Sequence, residues 1–210
     1  MNIIFDLDGT LIDSAFDIAK YINITRKKCN LPPVSVDFVK QNLGNGAERL
    51  VKGCMPEVPF SKEILDYYNE IYTACDFSLT VLFDGVKEML ERLKGKHNLV
   101  VISNKPQQTV DEIIKKFFGG VFNLALGGRE NAPLKPQKEL FLEINKYITL
   151  DPKETVMVGD GDTDYLFAKN CGLNYILVDW GYRKVEDLKA LGGENFAHTT
   201  SDIINFIESL

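Results

Sequence analysis

Histidine is almost missing from this sequence, with two in 210 residues, and cysteine is sparse. Cys29, Cys54, Cys75 and Cys171 stand singly, with no C-x-x-C pair among them. One core of this size buries roughly 70% of the unfolded surface, so no disulfide staples are needed. Reduced thiols in a cytoplasmic protein are the expectation. Long apolar runs are lacking too. The longest stretch without a charge, Phe117 to Gly128, has twelve residues and four glycines, which is too short to span a bilayer. Only Met1 to Phe5 precede the first aspartate, leaving no room for the basic and apolar regions of a signal peptide. Excess positive charge is also absent. Twenty-four basic against 30 acidic residues give 24 − 30 = −6, so no nucleic-acid partner is expected and any phosphate must be caught locally.

What is present is ordinary for a globular protein, at 45% hydrophobic and 26% charged residues. Four apolar runs end in polar residues. Asn2-Ile3-Ile4-Phe5 breaks into Asp6-Leu7-Asp8-Gly9-Thr10, and Asn98 to Ile102 ends at Ser103-Asn104. Thr155 to Val158 ends at Gly159-Asp160, and Tyr175 to Val178 ends at Asp179. Val121 to Leu126 is a weaker fifth. Short continuous apolar runs suit strands buried on both faces, as in a parallel sheet. Between them, Val110, Ile113, Ile114, Phe117 and Phe118 make a helical stripe, as do Leu140, Phe141, Ile144 and Ile148, and Val86, Met89, Leu90 and Leu93. The alternation predicts an α/β fold with a doubly wound parallel sheet and right-handed crossovers. Residues 15–79 break it. Four apolar helical patterns and no strand occur there, so the segment reads as a helical insertion after the first strand. Its tyrosines Tyr67, Tyr68 and Tyr72 read as helix packing.

In an open α/β sheet, ligands bind beyond the carboxyl ends of the strands. Those ends carry Asp6 and Asp8, Ser103 and Asn104, and Asp160 with Asp164, while Lys135 falls on a loop between the last two groups. Four carboxylates at close quarters repel unless they are protonated or neutralised by a cation. With no histidine or cysteine in these motifs, a hard divalent ion, Mg²⁺ first, fits better than zinc. Asp160, Asp162 and Asp164 superficially open like a calcium loop. Tyr165 and Cys171 stand where that loop needs glycine and glutamate, so Asp162 reads as a helix N-cap instead.

Asp6-Leu7-Asp8-Gly9-Thr10, Ser103, Lys135-Pro136 and Gly159-Asp160 with Asp164 together resemble the haloacid dehalogenase superfamily of phosphohydrolases, over essentially the whole chain. The helical insertion resembles that superfamily's small α-helical cap. It implies a core of residues 1–14 and 80–210 around a cap of residues 15–79. Ser103-Asn104-Lys105-Pro106, Gly44-Asn45-Gly46 and Trp180-Gly181-Tyr182 resemble the phosphoglycolate phosphatase branch. The resemblance implies that Asp6 is the nucleophile forming an aspartyl-phosphate, and Asp8 the general acid and base. It places Mg²⁺ between Asp6, the Asp8 carbonyl and Asp160, with Asp164 in support. Ser103, Thr10 and amides near Asn104 would hold the substrate, and Lys135 would balance charge on Asp6 and the transferring group. Asn45 and Arg49, at the cap's glycine turn, are the candidates for recognising the organic part.

The expected reaction is Mg²⁺-dependent hydrolysis of a small phosphorylated metabolite close to 2-phosphoglycolate, by a monomer or homodimer with no membrane partner. A metal-independent dehalogenase lacks the acid/base aspartate two residues after its nucleophile, and Asp8 is present. A β-phosphoglucomutase-like mutase shares both aspartates but usually has an aliphatic residue where this chain has Thr10. A non-enzymatic phosphoacceptor module would need neither Asp8 nor a 65-residue cap.

Overall fold

The structure, a computed structural model, describes residues 1–210. The chain opens with β1 (Asn2–Phe5) and the short β2 (Ile12–Asp13). It then runs through α1 (Ala15–Lys28), α2 (Val36–Lys40), α3 (Ala47–Cys54) and α4 (Lys62–Thr73), and returns on β3 (Val81–Leu82). From there helix and strand alternate: α5 (Val86–Leu93), β4 (Asn98–Pro106), α6 (Gln107–Phe117), β5 (Leu124–Gly128) and α7 (Glu139–Ile144). They are followed by β6 (Thr155–Gly159), α8 (Asp162–Cys171), β7 (Asn174–Val178), α9 (Val185–Ala190), β8 (Phe196–Ala197) and α10 (Thr200–Glu208). No helix is long and apolar enough to cross a membrane, and no cysteine is in a disulfide.

Six strands form one sheet in the order β5-β4-β1-β6-β7-β8, every neighbouring pair parallel. Side chains alternate across it, as the period of two requires. Ile3, Phe5, Leu99, Val101, Val156 and Val158 join a cluster with Val86, Val110 and Ile203 on one face. Ile4, Val100, Ile102 and Met157 join Leu140, Ile144 and Phe167 on the other. Helices thus cover both faces, which is the doubly wound α/β arrangement that the apolar runs predict. Because β1 lies between β4 and β6, strand order reverses there, and the polar ends of all three converge on that switch point.

The helices α1 to α4 lie between β2 and β3, which pair antiparallel through Ile12 with Leu82 and Asp13 with Val81. Asp17, buried in α1, ties the returning chain to the outgoing one by accepting from the Leu79 amide at 3.0 Å and the Thr80 hydroxyl at 2.7 Å. Ile18, Leu50, Val51, Tyr68 and Tyr72 extend the larger apolar cluster from the sheet into these helices.

Three boundaries differ from the sequence expectation. The strand expected from Val121 begins at Leu124, because Phe122 packs its ring on Phe5 and Phe118, and Asn123 bonds the Leu99 amide through its side chain. The strand expected to end at Ser103-Asn104 runs on to Pro106. Ile148 lies beyond α7, whose end is turned by Asn145, its side chain accepting from the Leu150 amide at 2.7 Å.

Candidate active site

Asp6 follows β1 directly, and its amide still donates to Val158 O on β6 at 2.9 Å. That ladder bond fixes the direction in which the buried carboxylate leaves the sheet. The chain must then turn sharply, and Gly9 does so at φ +87°. A Cβ built there would stand 2.3 Å from Asp160 Oδ2, so both conformation and space require glycine. The turn separates the two aspartates of the first motif, giving Asp6 and Asp8 different neighbours.

Around Asp6 the groups are packed tightly. The Lys135 ammonium donates to Asp6 Oδ1 at 2.5 Å, Asp164 Oδ1 at 2.7 Å and Ile102 O at 3.1 Å, so its three hydrogens meet three acceptors. Asp160, at the end of β6, accepts from the Tyr182 amide at 2.7 Å and from the Thr10 hydroxyl at 3.5 Å. Asp164, in the first turn of α8, accepts from the Gly161 amide at 3.0 Å. Asp6, Asp160 and Asp164 each offer an oxygen, and these oxygens lie within 4.8 Å of one another. Burial pushes the Asp6 carboxyl well above the usual carboxylate range, against the opposing pull of Lys135. Burial, then the Asp164 charge, pushes Asp160 up to about 7. Burial works against the Lys135 charge as well, but Asp164 and Asp6 outweigh it and hold that ammonium above its ordinary pKa. Three buried carboxylates against one ammonium leave an excess of negative charge, and every donor in the set is oxygen. That is the chemistry of a hard divalent cation site.

Asp8 faces the helices instead. Its Oδ1 accepts from Ser14 Oγ at 2.5 Å and from the Lys105 ammonium at 2.9 Å, and Tyr72 OH accepts from the same ammonium at 2.8 Å. Between this group and α1, α3 and α4 lies a cavity of about 50 Å³. Asp6, Asp8 and Ser103 line one side, and Ile18, Leu43, Leu50, Tyr68 and Tyr72 the other. Ser103 Oγ accepts from the Lys105 amide at 3.2 Å, and its own hydrogen is free to be donated.

The structure therefore gathers Asp6, Asp8, Ser103, Lys135, Asp160 and Asp164 as the motifs predict, and rearranges the rest. The Asn104 side chain is fully used, donating to Gly44 O and Lys135 O and accepting from the Lys135 amide. It clamps the Lys135 loop to the helical insertion, while Asn104 itself still lines the cavity beside Ser103. Thr10 is turned to Asp160 and does not line the cavity. Arg49 is exposed and donates to Asn45 Oδ1 at 3.3 Å; neither side chain lines the cavity, whereas Gly44, Gly46 and Ala47 do. Asp162 is not the N-cap of α8. Gly161 holds that position, and Asp162 accepts from Arg183 Nε at 3.1 Å. Tyr68 and Tyr72 are not packing alone, since both line the cavity, whereas Tyr67 carries the Lys28 ammonium over its ring.

Lys105, Ser14, Tyr72 and Tyr182 are the residues that the sequence reading missed. Tyr182 holds Asp160 through its amide, and its hydroxyl accepts from the Ser14 amide at 2.9 Å and donates to Asp13 at 3.1 Å. With Trp180 Nε1 donating to Thr10 O at 3.2 Å, the segment straps the first motif in place. Lys105 and Tyr182 fall inside strings that were legible as strings, without the contact that gives each its duty.

Comparison with known proteins agrees with this geometry. The family model for haloacid dehalogenase-like hydrolases matches residues 3–178. A phosphoglycolate phosphatase from Psychrobacter arcticus is 28% identical, with 98% of this chain and 94% of that protein aligned. One from Aquifex aeolicus is 32% identical over 87% of this chain and 86% of its own. The crystal structure of a predicted phosphoglycolate phosphatase from Haemophilus somnus superposes with a TM-score of 0.84 at 29% identity, covering 98% of this chain and 96% of that one. The chain belongs to the haloacid dehalogenase-like hydrolases, and to their phosphatases.

Proposed function

We propose that the protein is a Mg²⁺-dependent phosphomonoesterase that hydrolyses small phosphorylated metabolites of the 2-phosphoglycolate kind through an aspartyl-phosphate. The observation that carries this reading is the Asp6 carboxylate. It stands buried at the end of β1, one oxygen held by Lys135 at 2.5 Å, against a cavity that it shares with Asp8 and Ser103. Asp6, Asp160 and Asp164 would hold Mg²⁺, whose charge offsets the repulsion between an anionic nucleophile and a phosphate dianion.

The chain's own groups then divide the reaction. Asp6 attacks phosphorus as the bond from phosphorus to the ester oxygen breaks. Asp8 gives its proton to the leaving alkoxide, then takes one from the water that attacks the aspartyl-phosphate and restores Asp6. Both hydrogen bonds to Asp8 fall on Oδ1, so Oδ2 is the oxygen left to handle the proton. Ser103 meets a phosphoryl oxygen, where charge accumulates in the transition state, and Lys135 balances charge on Asp6. Residues 15–79 act as a lid on a core of residues 1–14 and 80–210, excluding water from the closed site.

The test is an assay of the purified protein with Mg²⁺ against a panel of phosphate monoesters, with pyrophosphate and nucleoside monophosphates included. We expect 2-phosphoglycolate to be among the best substrates, a chelator to abolish turnover and Mg²⁺ to restore it. Asp6→Asn should lose several orders of magnitude. Full activity in excess chelator, or a tenth of wild-type activity in Asp6→Asn, overturns the reading.

A further inference from the structure

Lys105 is a buried cation that the mechanism above leaves without a duty. It is only 7% exposed, and an ammonium in that position needs partners. It has two, Asp8 Oδ1 at 2.9 Å and Tyr72 OH at 2.8 Å. The third ammonium hydrogen has no partner in the protein. Lys105 is also the one cationic residue lining the cavity, whose remaining wall is Ile18 from α1, Ala47 and Leu50 from α3, and Tyr68 and Tyr72 from α4. An uncharged alcohol would leave that third hydrogen unmet. A second phosphate would meet only one buried ammonium.

We propose that Lys105 recognises a carboxylate carried by the substrate one carbon from the ester oxygen. The inference rests on the phosphomonoesterase reading and deepens it by assigning to one residue of β4 the preference for a phosphorylated 2-hydroxy acid. The geometry runs through Asp8. Asp8 must reach the ester oxygen to protonate it, and Lys105 touches Asp8. A carboxylate separated from that oxygen by a single carbon therefore arrives beside Lys105, where a charge-assisted hydrogen bond forms. Tyr72 OH, brought by α4, fixes the ammonium from the lid side, so the specificity contact is complete only when the lid is seated. The cation that sequence reading sought on the cap, at Arg49, is supplied by β4 of the core.

The experiment compares 2-phosphoglycolate with ethyl phosphate, which keeps the phosphoryl group and methylene but carries a methyl in place of the carboxylate. kcat/KM is measured for both in wild type, Lys105→Met and Tyr72→Phe, with melting curves to verify folding. Wild type should prefer 2-phosphoglycolate by roughly 100-fold, the worth of one hydrogen bond between charged groups. Lys105→Met should slow both esters, since Asp8 loses a neighbour, but the ratio between them should fall to within about threefold of unity. Tyr72→Phe keeps the Lys105–Asp8 pair and should lower the ratio severalfold. In an Asp6→Asn background, calorimetry should show Lys105→Met weakening 2-phosphoglycolate by at least about tenfold more than ethyl phosphate. If wild type turned over neither ester, the phosphatase reading would fail while the binding comparison still decided the role of Lys105. Unmoved ratios in both variants, or equal weakening of both ligands, overturn the proposal.

Discussion

Asp160→Asn tests the charge crowding at the site without relying on turnover. Burial and the Asp164 charge raise the Asp160 pKa from 3.8 to about 7. The folded protein then binds a proton more readily than the unfolded chain does. Stability contributed by this group therefore falls as pH rises from about 4 to about 7, with the penalty absent below that window and fully present above it. At 1.36 kcal/mol per pH unit, the difference corresponds to about 4 kcal/mol. This is an upper figure, because Asp6 and Asp164 share the repulsion. Asp160 accepts the Tyr182 amide on Oδ2 and the Thr10 hydroxyl on Oδ1. Asparagine keeps its one oxygen for the Tyr182 amide and turns its NH2 to donate to the Thr10 oxygen, so both contacts persist while the charge is removed.

In a chelating buffer, Asp160→Asn and wild type should therefore be equally stable near pH 4. The variant should then gain progressively, and by pH 8 should melt higher by as much as roughly 8–16 °C. Denaturant titrations across the range measure the same gap as a free energy. Added Mg²⁺ should close it by stabilising wild type alone, since the cation meets the charge that the proton otherwise meets. Parallel pH profiles for the two proteins would refute the argument, because they would mean that Asp160 carries no penalty in the fold.

Gly9→Ala places a Cβ 2.3 Å from Asp160 Oδ2 at φ +87°; the left-handed backbone alone costs about 1–2 kcal/mol. A melting temperature lowered by several degrees and near-complete loss of activity should follow, and a variant with wild-type melting would contradict the geometry of the turn. Asp8→Asn should keep some phosphoryl transfer from p-nitrophenyl phosphate, whose leaving group needs little protonation. Phosphoenzyme should accumulate on rapid quench, and equal loss on good and poor leaving groups with no trapped intermediate would count against Asp8 as acid and base.

The sheet and the clustering of the motif residues at its edge were legible because both rest on local rules. A strand covered on two faces is a short apolar run, and the residue that follows it sits at the ligand-binding edge. What failed was inference across the gap between core and helical insertion. The direction of Arg49 was in fact readable. Leu50, Val51 and Cys54 set the inward face of α3, and that periodicity turns Arg49 outward. Lys105 was not readable in the same way. The alternation that puts Leu99 and Val101 on one face is interrupted where β4 shifts register between Ile102 and Pro106, so counting by twos does not settle where the Lys105 side chain goes. Tyr72 was not readable. Its spacing from Tyr68 serves ring stacking, at 5.6 Å between centroids, as well as it serves a hydroxyl at the site. Only the seating of α4 on the core separates the two uses.

That seating gives the two aspartates of the first motif their separate environments. They are two residues apart, yet each has its own buried lysine. Lys135 bonds Asp6 together with Asp164, and Lys105 bonds Asp8 together with Tyr72. The first lysine comes from the core alone and its three hydrogens are all used, so it can only balance charge. The second is held jointly by Asp8 and by Tyr72 of α4 and keeps a hydrogen in reserve. Two identical carboxyls acquire different work when their surroundings differ, and the sharp turn at Gly9 is what allows the surroundings to differ over so short a chain. A substitution at Lys105 should therefore change which alcohol is accepted, whereas one at Lys135 should depress every substrate alike.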